Sequence, residues 1–128
     1  MTVDSQQLTA LRWVKKELDA LLTEARAALE TFSDDAGRTD SLEEARRLLD
    51  QVEGTLRMLD LHGAAMLARE MSALVGALLA GEVTGREEAL ETVTRAMLQL
   101  PDYLEHLRTG HRDVPLVLLP LLNDLRTV

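Results

Sequence analysis

The sequence predicts an all-α domain, an up-and-down antiparallel four-helix bundle with a short apolar C-terminal helix. Three observations carry that expectation. Apolar residues recur at spacings of three and four along successive segments, and no strand-period alternation interrupts them. Of 128 residues, 46% are hydrophobic but only 2% aromatic, so Leu, Ala, Val and Met must fill the core; sheets favour β-branched and aromatic side chains instead. Turn formers and capping signatures punctuate the segments where one helix should give way to the next.

The first helix reads from Ser5 to Phe32. Its stripe is Leu8, Leu11, Val14, Leu18, Leu21, Leu22, Ala25, Ala28, Leu29 and Phe32. Asp4 offers an N-cap with Gln7 three residues on, and the Ser-Asp-Asp-Ala-Gly of residues 33–37 ends the helix. The second helix opens at Asp40 or Ser41, where Ser41 and Glu44 form an S-x-x-E signature. Leu42, Ala45, Leu48, Leu49, Val52, Leu56 and Leu59 face inward; Arg46, Asp50, Glu53, Arg57 and Asp60 form a polar stripe on the opposite face. His62-Gly63 marks the expected break before a third helix over 64–80, with Gly81 placed to terminate it in a left-handed conformation.

Thr84 and Glu87 form a further capping signature. From there Leu90, Val93, Met97, Leu100, Leu104 and Leu107 keep one register to Gly110. Pro101 lies inside that register and is expected to kink or divide the helix. Residues 114–125 are apolar almost all round, with Pro115 suited to a first helical turn and Pro120 interrupting the rest of the segment. Left in water, 114–122 would form an apolar patch of a kind that monomers rarely carry. Docking over the ends of the third and fourth helices is therefore expected, in preference to a dimer seam.

Composition excludes several functions. The chain has no cysteine, hence neither disulfides nor thiolate chemistry. Fourteen Lys and Arg against 22 Asp and Glu give a net charge of -8, the wrong sign for a nucleic-acid partner. The longest uncharged runs fall short of the roughly 20 apolar residues that span a bilayer, and no signal-peptide pattern opens the chain. A cytoplasmic domain without membrane insertion is expected. His106 and His111, with Asp102 and Asp113 near in sequence, lack the converging arrangement of a metal site. No nucleophile elbow or phosphate loop is present. No catalytic residue, metal or cofactor is assigned.

The informative stretch is Asp50-Gln51-Val52-Glu53-Gly54-Thr55-Leu56-Arg57. A glycine inside a helix costs roughly 1 kcal/mol relative to alanine, and Gly54 lies beside the polar stripe. The pattern resembles histidine phosphotransfer domains, bundles of this size whose second helix carries an exposed phosphoacceptor His, Lys at i+3 and Gly at i+4. On this chain Asp50 occupies the His position, Glu53 the Lys position and Gly54 the Gly position, while Leu59-Asp60-Leu61 falls on an L-G-L-like turn. A carboxylate at Asp50 cannot replace the imidazole, and Glu53 would repel the phosphoryl group that Lys neutralises. The resemblance therefore implies a degenerate phosphotransfer-like module.

A narrower resemblance rests on Leu100-Pro101-Asp102-Tyr103-Leu104-Glu105-His106-Leu107, the stretch 110–126, and 54–71. These are similar to the N-terminal region of ChpA-type hybrid histidine kinases, which control type IV pili, and to part of FimL, a non-kinase scaffold of that pathway. The resemblance implies a non-catalytic interaction module working with CheY-like response regulators and a pole-localised hub protein in twitching motility. It implies one domain over 1–128, the N-terminal fragment of a much longer protein; a monomer or weak homodimer is expected. The interaction surface is expected at Arg46, Asp50, Glu53, Arg57 and Asp60. The competing readings are a phosphorelay intermediate using His62, which has no supporting Lys, and a plain helical dimerisation domain.

Overall fold

The structure, a computed structural model, describes residues 5–108, 120 and 123–126. Four helices follow in order: α1 (Ser5–Asp34), α2 (Thr39–Met58), α3 (His62–Ala80) and α4 (Arg86–Arg108). Among the described residues there is no strand. Connections of three to five residues make consecutive helices antiparallel neighbours. Helix α1 also packs on α4, closing the ring: Lys15 lies 3.5 Å from Glu105 at one end, and the Arg86 guanidinium lies 5.9 Å from the Phe32 ring centre at the other. The all-α bundle is as the periodicity requires.

The core is aliphatic. Leu11, Leu18, Leu22 and Leu29 of α1 meet Leu42, Leu48, Leu49, Val52 and Leu56 of α2, with Leu67, Met71, Val75, Val93, Leu100 and Leu104 from the other two helices. Burying each of the larger side chains is worth about 1.5–3 kcal/mol. Phe32 and Tyr103 join this core, whereas Trp13 is 82% exposed. Helix α3 is long and apolar enough by composition to cross a membrane, but half of that stretch is buried inside the bundle and Arg69 and Glu70 sit within it.

Several local expectations need correction. Helix α2 starts at Thr39, earlier than the Ser41 signature suggests: Arg38 occupies the N-cap without a side-chain cap, Ser41 is buried, and the Arg38 carbonyl accepts from the Ser41 N–H. Its first turn is held instead by Arg38, whose Nε and Nη2 donate to the two Asp40 oxygens at 3.0 and 3.1 Å. Helix α4 starts at Arg86, with the Gly85 carbonyl accepting from Ala89, so Thr84 lies outside it. Pro101 does not divide α4, which continues to Arg108.

The α2–α3 break falls at Asp60, before His62-Gly63. Asp60 adopts φ 58°, and its N–H donates to the Arg57 carbonyl while the Leu61 N–H donates to Leu56. This is the Schellman pattern, with buried Leu56 and Leu61 supplying its apolar contact. Gly81, at φ 71°, ends α3 in the same way, as expected.

The Asp4 cap and most of 114–122, whose docking was expected, lie outside the described residues. Residues 123–126 are helical and lie against α3 and α4: Leu125 is buried, Arg95 donates to Asp124 at 2.7 Å, and Arg126 donates to Glu70 at 3.1 Å.

Candidate functional site

Residues 46, 50, 53 and 57 recur about once per turn of α2 and share one side of it. That side borders α3. The Ser72 hydroxyl, 5% exposed, donates to Asp50 Oδ1 at 2.5 Å, a length normal for an O–H to carboxylate bond. One turn earlier Arg46 lies across Gly76 of α3, so closely that a methyl group there would come within 2.9 Å of its guanidinium. One turn later Arg57 Nε donates to Glu53 Oε2 at 2.6 Å, and the Glu53 side chain is only 19% exposed. The stripe thus follows the α2–α3 seam, with Arg46, Asp50, Arg57 and Asp60 exposed and Glu53 half-buried.

The outermost line of α2 is a different one, through Arg47, Gly54 and Met58. Gly54 is exposed, and a Cβ placed on it would meet nothing within 4 Å. Met58 is 86% exposed. Gly54 therefore serves neither close packing within the bundle nor a special backbone conformation. Sequence reasoning missed Met58, although its place outside the register of Val52, Leu56 and Leu59 is a usable signal: it is an apolar residue on the polar side of an amphipathic helix.

No imidazole lies on α2. Asp50 and Glu53, the two residues expected from the sequence at the acceptor and cation positions, are each engaged, Asp50 by Ser72 and Glu53 by Arg57. His62 is the first residue of α3, exposed, with Nε2 3.9 Å from Asp60 Oδ1. His106 lies exposed on α4, and His111 falls outside the described residues. Among the described residues, no three His, Asp or Glu side chains converge as metal ligands would.

This sequence matches the FimL C-terminal domain family over residues 5–120. The chain belongs to that family. It is 32% identical over 118 residues to the scaffold protein FimL of Pseudomonas aeruginosa, an alignment covering 92% of this chain and 21% of that protein. The chain thus spans about a fifth of the length of this relative. No solved structure matches it. Membership of the FimL C-terminal family agrees with the resemblance to FimL carried by the 54–71 and 100–126 blocks.

Proposed function

We propose that this chain is a non-catalytic protein-interaction module of a scaffold in a chemotaxis-like signalling system, one that acts on type IV pili and twitching motility. Its fold is that of a phosphotransfer-like bundle from which the transfer chemistry has been lost. The observation that carries this reading is on α2: Gly54 stays open to solvent while Asp50 and Glu53, at the acceptor and cation positions, are tied into the helix seam and an ion pair. A helix-interior glycine that costs about 1 kcal/mol and contacts nothing within the bundle is accounted for by a partner backbone that must approach closely there. Membership of the FimL C-terminal family and the scaffold role of the P. aeruginosa relative support it.

On this reading the docking face is Gly54 and Met58, flanked by Arg57, Asp50 and Arg46, and its partner is a CheY-like receiver domain or a polar hub protein. The setting is cytoplasmic, with recruitment to the pole, and the chain forms part of a longer polypeptide. Titration of a labelled receiver domain from the same system tests it. Binding should weaken about tenfold or more in Gly54→Arg, with helicity and melting temperature retained. Unchanged affinity in that variant would remove the α2 face from the account.

A further inference from the structure

The seam opposite α2–α3, between α1 and α4, holds an apolar groove of about 590 Å³. Leu29, Leu90 and Leu98 form its apolar part; Leu29 is buried, but Leu98 is 49% exposed. A second cavity continues from Leu98 along the same seam to Met97 and Pro101. Pro101 has no N–H, so the Met97 carbonyl lacks its helical donor where both residues line the groove.

The rim of the larger groove is acidic. Glu30 from α1 and Glu87 and Glu91 from α4 line it, and among the described residues none of the three has an ion-pair partner. The cation on that rim, Arg95, is already held by Asp124 at 2.7 Å. Arg26 contributes one positive charge, in the second cavity. Apolar contact in the middle, carboxylates on both sides that have no ion-pair partner among the described residues, and a net charge of -8 together set the chemistry of what fits.

We infer that the α1–α4 groove docks an amphipathic helix of a partner protein, with apolar side chains seated over Leu29, Leu90 and Leu98 and Lys or Arg on its flanks meeting Glu30, Glu87 and Glu91. Helices laid in grooves combine these two contributions, and the charged rim steers the encounter. The surface is independent of the α2 face and lies on the other side of the bundle, so a scaffold with both could hold two partners at once.

The test uses a helical Leu/Lys peptide of about 18 residues, roughly 27 Å long, with its Leu/Glu counterpart as control, titrated calorimetrically into the chain. The Leu/Lys peptide should bind, with affinity falling as salt screens the rim, and the Leu/Glu peptide should not. Glu30→Lys with Glu91→Lys should weaken binding about tenfold or more, and Leu98→Ser should do the same, both with the melting curve preserved. The same charge change placed elsewhere, as Glu17→Lys with Glu43→Lys, should leave most of the affinity intact. Absence of binding, equal binding of both peptides, or equal loss from the two charge pairs would each overturn the inference. So would a dimer in sedimentation that Leu98→Ser abolishes, since it would assign the groove to a second copy of the chain.

Discussion

Replacing Gly54 by alanine should stabilise the protein. Gly54 lies within α2, four residues from its last residue, and does not have a positive φ. The added Cβ would find no atom within 4 Å, so no steric cost opposes the gain. Alanine exceeds glycine by about 0.8–1.0 kcal/mol in a helix interior, through the smaller entropy its unfolded chain loses. For a domain of this length that corresponds to a rise of about 3–5 °C in melting temperature. Thermal unfolding followed by circular dichroism, with urea unfolding as the second measure, reads the change directly. Gly76→Ala is the internal contrast, because its methyl must displace the Arg46 guanidinium from 2.9 Å and so should gain less. A Gly54→Ala protein no more stable than the parent would show that α2 is not a continuous helix there, or that Gly54 has a contact within the bundle.

Asp50→Ala should lose about 1 kcal/mol, because it strips the acceptor from the buried Ser72 hydroxyl, whereas Asp50→Asn should keep most of the stability; equilibrium denaturation of the pair decides it. Asp60→Gly should gain about 0.5–1 kcal/mol at φ 58°, and Gly81→Ala should lose about 1–2 kcal/mol at φ 71°; opposite shifts in their melting temperatures are the check. The Arg38 hydrogen bond holds Asp40 below the ordinary carboxylate range, and the Arg47 hydrogen bond does the same for Glu44. Their contribution to stability is therefore present above the ordinary carboxylate range and lost as pH falls through the lower folded values, and it is small because both are exposed to water. Carboxyl chemical shifts followed through an acid titration should show both groups titrating late.

The bundle is legible in the sequence because its signal is periodic and redundant. Leu42, Ala45, Leu49, Val52 and Leu56 each repeat one message about which side of α2 is buried, and Gly81 announces its left-handed turn by residue type alone. The helix starts are less legible. The Ser41 and Thr84 signatures are local hydrogen-bonding options, and tertiary packing overrides them: Ser41 is buried, and the helices begin at Thr39 and Arg86. Asp60 takes the left-handed turn position because Leu56 and Leu61 must both reach the core, which favours the break there over the adjacent His62-Gly63.

The polar stripe is legible as a register, but its neighbour is not. Nothing near Asp50 in sequence points to Ser72, 22 residues away, so one side of α2 reads as open although it borders α3. Exposed apolar residues are the signal that sequence reasoning passed over. Met58 and Leu98 stand out of register with their stripes, and each marks a surface that the core does not use.

The most direct measurement of the central claim is a phosphotransfer assay on the intact chain. Incubated with ATP and the kinase core of a chemotaxis-type system, it should take up no acid-labile, base-stable label, because α2 carries no imidazole and, on the proposed reading, Asp50 and Glu53 replace the acceptor and its supporting cation. Label above background that disappears in His62→Gln would contradict the account and make the domain a working phosphorelay intermediate.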